Sequence, residues 1–333
     1  MRKLFLGIFI SVTCISFGCE WLPDYLGDNY EYSYIEQPDD YSGEIKCTVV
    51  RSYVGAERAV VYLHGYNDYF YQSEMGKLFN DSAYNFYAVD LRKYGRSLLE
   101  GQQMFQVYDL DEYFADIDSV LSVAVGDGNG EIVLMGHSTG GLTLPYYLAK
   151  GRGKEFPIKG LILNSPFLDM NLDWFTESVL LPMVNWYSYI SKETKVPQGI
   201  SQVYAETLLD EYHGEWSYNT DWKLKISPDV TSGWLGAIYR AQNFLQDGVD
   251  IDIPILLAYS SLSSNPDEWS ELCNSADIVL DVEDIVKYGA RLGDNITNLE
   301  VVDGIHDLVL SRSDVREYFY QEVFKWLNDS VID

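Results

Sequence analysis

At 333 residues and 47% hydrophobic composition, the chain has ample apolar material for one large domain carrying an insertion, and two separate domains are not required. A formal net charge of −28 argues against a nucleic-acid partner, whose phosphates such a surface would repel, and it disfavours anionic lipid surfaces. The acidity itself reads as a solvated surface that serves solubility.

Arg2-Lys3 followed by the apolar stretch Leu4 to Gly18 has the basic start and short hydrophobic core of an export signal, too short to span a bilayer comfortably. It leads to Cys19 in a pattern that resembles the bacterial lipoprotein cleavage box, although Ser16 stands where leucine is common and Phe17 is bulky. Residues 1–19 are therefore expected to be a leader. The resemblance implies lipid on Cys19 and an exported protein whose only membrane contact is that anchor. The alternatives are an ordinary cleaved signal, giving a periplasmic or secreted protein, and an uncleaved anchor. Cys47 and Cys273 have no metal-site spacing; they either pair in an oxidising compartment or stay as buried thiols.

Beyond the leader, Glu31 to Glu36 and Glu44 to Ser52 flank the turn residues Pro38 to Gly43 and predict an antiparallel strand pair at a sheet edge. Strand patterns follow at Ala59–Leu63, Phe86–Val89, Ile132–Met135, Lys159–Asn164, Ile253–Tyr259 and Leu299–Val302. They alternate with helical stretches, the clearest being Asp111–Val125 and Arg312–Leu327. Such alternation predicts an α/β fold with a mostly parallel sheet and helices on both faces. Between Phe167 and about Gly248 it breaks down, which predicts a cap inserted into a core of residues 20–166 and 249–333. This segment holds Trp174, Trp186, Trp216, Trp222 and Trp234 with Phe175, Tyr187, Tyr189, Tyr204, Tyr212 and Tyr218. These aromatics either roof a binding site or form the cap's own small core.

Gly136-His137-Ser138-Thr139-Gly140 lies between an apolar strand pattern and the helical stretch from Gly141 to Leu148. A G-x-S-x-G turn there forces the serine into a strained backbone position with its hydroxyl projecting outward, so Ser138 is the candidate nucleophile. A serine hydroxyl needs a base, and the chain has four histidines: His64, His137, His213 and His306. His137 cannot easily face Ser138 across so sharp a turn, and His64 fits the loop that supplies an oxyanion-hole N–H. His213 precedes any acid and falls in the cap. His306 follows a β-type segment and the turn Asp303-Gly304 and precedes the last helix, where the base belongs in a Ser, acid, His order.

These residues resemble the α/β-hydrolases, in the branch of monoacylglycerol lipases, lysophospholipases and serine aminopeptidase-like proteins. The likeness runs through Leu63 to Tyr69, the D-x-R-x-x-G-x-S segment Asp90 to Ser97, the elbow Gly136 to Gly141, Leu163 to Pro166 and Gly304 to Asp307. It implies the α/β-hydrolase fold with a cap insertion, and backbone N–H groups of Tyr66 and Thr139 in the oxyanion hole. The family's acid usually follows a strand as G-x-x-D-x-v-v-d, but here Ile253–Tyr259 runs into Ser260-Ser261-Leu262-Ser263. Asp277-Ile278-Val279-Leu280-Asp281 reproduces the tail of that pattern, as if a segment had been inserted, and Asp277 is the choice of acid. Asp267 and Asp281 remain alternatives.

The resemblance implies a serine hydrolase acting on carboxylic esters, lipid or lysophospholipid-like, through an acyl-enzyme, with a small-molecule partner and no cofactor or metal. Two other readings stay open. One is aminopeptidase-like amide hydrolysis, with Glu177, Glu193 or Glu206 gripping a substrate amine; the other is a catalytically inactive ligand-binding protein of the same fold.

Overall fold

The computed structural model describes residues 19–172, 176–197 and 201–331. The expected leader, Trp174, Phe175 and the Glu177 side chain lie outside the described residues. Among the described residues there are eleven strands: β1 (Leu22–Pro23), β2 (Glu31–Asp40), β3 (Gly43–Ser52), β4 (Arg58–Leu63), β5 (Tyr84–Asp90), β6 (Glu131–His137), β7 (Ile158–Asn164), β8 (Lys195–Val196), β9 (Val230–Thr231), β10 (Ile255–Ser260) and β11 (Ile296–Val301). Nine of them form one sheet in the order β1-β2-β3-β5-β4-β6-β7-β10-β11. The pairings β1–β2, β2–β3 and β3–β5 are antiparallel, and every pairing from β5 to β11 is parallel.

The inner parallel strands are mostly apolar because both faces are covered, whereas β11 at the sheet edge exposes Thr297, Asn298 and Glu300. Ala59, Val61 and Leu63 of β4 belong to one core, and Val60 and Tyr62 to the other, so the two-residue strand period divides one run between two layers. The helices are α1 (Ser73–Asp81), α2 (Phe114–Gly126), α3 (Thr139–Ala149), α4 (Leu181–Ser188), α5 (Val203–Leu208), α6 (Ser232–Gln246), α7 (Val282–Gly289) and α8 (Ser313–Trp326). Met75 and Phe79 of α1 share a core with Phe319 and Val323 of α8. Residues of α2, α3, α6 and α7, among them Ile117, Leu142, Ile238 and Ile285, build the other. The expected helix at Asp111–Val125 begins instead as a 3-10 turn, Leu110–Tyr113, closed by a capping box between Asp109 and Glu112.

Asp90 ends β5, and buried ion pairs turn the segment after it into a brace. Its carboxylate accepts hydrogen bonds from the Phe70 and Arg96 N–H groups, and Arg96 Nη1 lies 2.7 Å from Asp90 Oδ2. Arg96 also grips Asp24, while Arg92 forks onto Asp116 in α2. Gly95 has φ +44°, and a Cβ there would lie 2.5 Å from Asp90 Oδ2. Removing one member of such a buried pair costs about 3–5 kcal/mol, so this motif fixes the loop from His64 to Gln72 from beneath.

Residues 167–248 carry α4, α5, α6 and the separate β8–β9 pair. Helix α6 packs against both α3 and α4, so the last helix of the insertion also covers the sheet side of the molecule. Its aromatics divide: Trp234 is buried, whereas Trp186 is 67% and Tyr189 68% exposed. Cys47 and Cys273 are both buried as free thiols.

Candidate active site

Ser138 sits between β6 and α3 with φ +52° and ψ −114°, a left-handed backbone that an ordinary strand-to-helix link does not use. Its glycine neighbours follow from crowding. A Cβ on Gly136 would lie 2.6 Å from the Gly140 oxygen, one on Gly140 would lie 2.3 Å from the Leu63 oxygen, and one on Gly141 would lie 2.9 Å from Pro166 Cα. The turn is therefore wedged between the ends of β4 and β7. The Ser138 N–H donates to the Asn164 oxygen at 3.0 Å, and the Ser138 oxygen accepts from the Phe167 N–H.

His306 stands on the loop after β11, which Ser260 Oγ ties by a 2.6 Å bond to the Gly304 oxygen. Its Nε2 lies 3.0 Å from Ser138 Oγ and its Nδ1 lies 2.9 Å from Asp277 Oδ2. With Nδ1 carrying the proton for the carboxylate, Nε2 is left to accept the Ser138 hydroxyl proton. Asp277 Oδ1 accepts from the Val279 and Leu280 N–H groups, each at 2.8 Å, which fixes the carboxylate's orientation. Serine, histidine and carboxylate form one hydrogen-bonded chain, and all three are buried.

The inserted segment explains how the carboxylate arrives. After β10 the chain leaves the sheet and then returns, so that Asp277 N–H donates to the Leu262 oxygen and Ser264 N–H to the Asp277 oxygen, both at 2.8 Å. Asp277 pairs with Ser263 as a further rung beyond β10. Ser263 Oγ accepts from the Val282 N–H and so serves α7. Asp281 caps the same helix through Glu283 N–H, and Asp267 is exposed.

The other histidines have different surroundings. His64 Nδ1–H donates to the Gly65 oxygen and Nε2 accepts from Leu91 N–H, while burial holds its pKa below the usual histidine range, so it is a neutral strut under the oxyanion loop. His213 stacks on Trp269 of the inserted segment with ring centroids 3.5 Å apart. His137 faces away from Ser138 Oγ, toward Asp68 and Asp307. The two residues expected to supply oxyanion donors are adjacent: Tyr66 N–H donates to Thr139 Oγ1 at 2.9 Å, and Thr139 opens α3, where N–H groups lack intrahelical acceptors.

Sequence reasoning gave no role to Asn164, Asp68, Asp307 or Lys223. Asn164 Nδ2 donates to Asp307 Oδ1 and its Oδ1 accepts from Leu308 N–H, joining the elbow to the histidine loop. Lys223 of the insertion reaches down to Asp68 Oδ1 at 2.9 Å. A buried polar residue at the end of an apolar strand was the available signal for Asn164. Nothing in the spacing of the others points to one another.

A cavity of about 610 Å³ opens over Ser138 and His306, roofed by the insertion. Phe167, Met170, Leu181, Val184, Trp234 and Leu235 give it apolar walls, and Tyr204, Tyr218 and Lys223 add polar ones. No glutamate among the described residues lines it; Glu193 and Glu206 lie outside the lining.

The sequence profile of the family described as serine aminopeptidase, S33, matches residues 55–263, a stretch that holds Tyr66, Ser138 and Thr139 and ends before Asp277 and His306. No curated protein sequence matches the chain. Among solved structures, a soluble variant of the monoglyceride lipase of Saccharomyces cerevisiae, bound to a substrate analog, superposes with a TM-score of 0.61 at 15% identity, covering 95% of this chain and 96% of that one. The Paleococcus ferrophilus monoacylglycerol lipase gives 0.56 at 19% identity, over 80% and 93%. A thermostable carboxyl esterase of Bacillus coagulans, in complex with glycerol, gives 0.60 at 14% identity, over 90% and 99%. At these identities the likeness is one of fold. The nine-stranded sheet, the elbow and the matched profile together place the chain in the serine aminopeptidase S33 family of α/β-hydrolases.

Proposed function

We propose that the protein is a serine hydrolase that cleaves carboxylic esters, lipid or lysophospholipid-like, through an acyl-enzyme. The observation that carries this reading is the Asp277–His306–Ser138 hydrogen-bonded chain at the floor of a largely apolar cavity. Ser138 Oγ attacks the ester carbonyl as His306 Nε2 takes its proton. Asp277 holds the imidazole and stabilises its charged form, and His306 then returns the proton to the leaving alkoxide. Water repeats the sequence to release the acid. Tyr66 and Thr139 N–H groups stabilise the tetrahedral oxyanion, each good donor contributing about 3 kcal/mol in comparable enzymes. In the free protein Thr139 Oγ1 occupies the Tyr66 donor, so an arriving oxyanion has to take that hydrogen bond over.

Ester cleavage is favoured over the aminopeptidase-like alternative because gripping a substrate amine needs a free cavity carboxylate. Asp68 lines the cavity, but Lys223 holds its Oδ1 and its Oδ2 is turned toward His137, and no described glutamate reaches the cavity. In this reading residues 167–248 are the cap that encloses the acyl group. A panel of p-nitrophenyl esters against aminoacyl nitroanilides tests the choice: turnover of the esters is expected, and preferential turnover of the anilides would reverse it. The protein is further proposed to be exported and anchored by lipid on Cys19. Mass spectrometry of the mature N-terminus in the native host should find an acylated Cys19, and an unmodified Cys19 would sink the anchor.

A further inference from the structure

Beside Ser138 lies a second cluster that ester hydrolysis does not use. Asp68, His137 and Asp307 are all buried, and their ligating atoms lie within 4.8 Å of one another. His137 Nδ1 is 3.7 Å from Asp68 Oδ2 and 3.8 Å from Asp307 Oδ2, too far for hydrogen bonds. Asp68 Oδ2 and both ring nitrogens of His137 have no hydrogen-bond partner. Leaving one such buried atom unmet costs about 1–3 kcal/mol, so Asp68 Oδ2 and His137 Nδ1, which face each other, call for a shared partner.

We propose that Asp68, His137 and Asp307 bind one divalent cation of the zinc class. Metal–ligand bonds of about 2.0–2.3 Å in tetrahedral array set neighbouring ligand atoms about 3.3–3.8 Å apart, and His137 Nδ1 stands 3.7 Å and 3.8 Å from the two carboxylate oxygens, with all three ligand atoms within 4.8 Å of one another. The donor set, two carboxylates and one imidazole without thiolate, suits zinc or manganese better than a soft ion. Outer partners already orient the carboxylates: Lys223 Nζ holds Asp68 Oδ1 at 2.9 Å, and Asn164 Nδ2 holds Asp307 Oδ1 at 2.6 Å. Gln72 Nε2 reaches Asp307 Oδ2 at 3.5 Å, at the margin of a hydrogen bond.

Each ligand adjoins a part of the reaction centre. Asp68 follows Tyr66 in the oxyanion loop, His137 precedes Ser138, and Asp307 follows His306. The ion therefore ties three loops from distant parts of the chain to one another; its role is to hold them in place, and no chemical step passes through it.

The test reads binding and so stands apart from the ester assignment. Full-length protein is stripped with chelator, dialysed against Zn²⁺ and assayed for bound metal and for melting temperature. The expected result is one Zn²⁺ per chain, a raised melting temperature, and affinity about 100-fold weaker in Asp307→Asn and Asp68→Asn. Should both variants fail to fold, the wild-type Co²⁺ complex still decides, since its absorption and histidine NMR shifts must report imidazole coordination. Absence of stoichiometric binding of Zn²⁺, Mn²⁺ or Co²⁺ to the wild type would overturn the proposal. So would a His137 carrying protons on both nitrogens with and without Zn²⁺, since the imidazolium would then be the shared partner.

Discussion

The elbow from Gly136 to Gly141 is shaped by atoms that press on it directly, the Leu63 and Gly140 oxygens and Pro166, whereas Asp277 reaches His306 only because a segment inserted after β10 folds back onto Leu262. The first is a steric demand on consecutive residues. The second is a matter of where a detour ends. A short-range constraint dictates residue types at fixed spacing, while a long-range one needs only the right carboxylate at the right distance, so two regions of one site tolerate change very differently.

Removing the proposed nucleophile is the largest break. Ser138→Ala is expected to cut ester turnover by about 10⁶-fold with an unchanged melting temperature, and adding His306→Ala should cost little more, because the pair acts as a unit. Asp277→Asn should lower kcat by about 10⁴-fold. The amide oxygen can still receive the Val279 and Leu280 N–H groups, but its NH₂ then faces His306 and favours the wrong tautomer. Gly140→Ala tests the elbow's side of the comparison: a methyl against two backbone carbonyl oxygens should destabilise the fold by about 3 kcal/mol, read by denaturant unfolding, with activity falling in step. Asp281→Ala removes a helix cap and should cost about 1 kcal/mol while leaving turnover within about twofold. Trp269→Ala, which removes the ring stacked on His213, should cost about 1 kcal/mol or less and change kcat least of all.

The turn that holds Ser138 and the loop that brings His306 beside it were readable because crowding and chain order leave marks in the sequence. The inner parallel strands were readable because burial on both faces makes them mostly apolar runs. Asp277 was readable only through likeness to a family pattern, and the hydrogen bonds that bring it home are backbone contacts that any residues could make. Helix α1 was not anticipated: its preceding residue Gln72 provides no side-chain cap, and the burial of Met75 and Phe79 holds it instead. The Asp68, His137 and Asp307 cluster left no trace either, since its members come from three separate loops.

Reaction of the full-length protein with a fluorophosphonate probe, followed by peptide mass spectrometry, tests the central claim most directly, because only an activated serine reacts quickly. A single adduct on Ser138 is expected, forming at least about 100-fold more slowly in Asp277→Asn and at the wild-type rate in Asp281→Ala. An unlabelled Ser138, or a labelling rate indifferent to Asp277→Asn, would contradict the account.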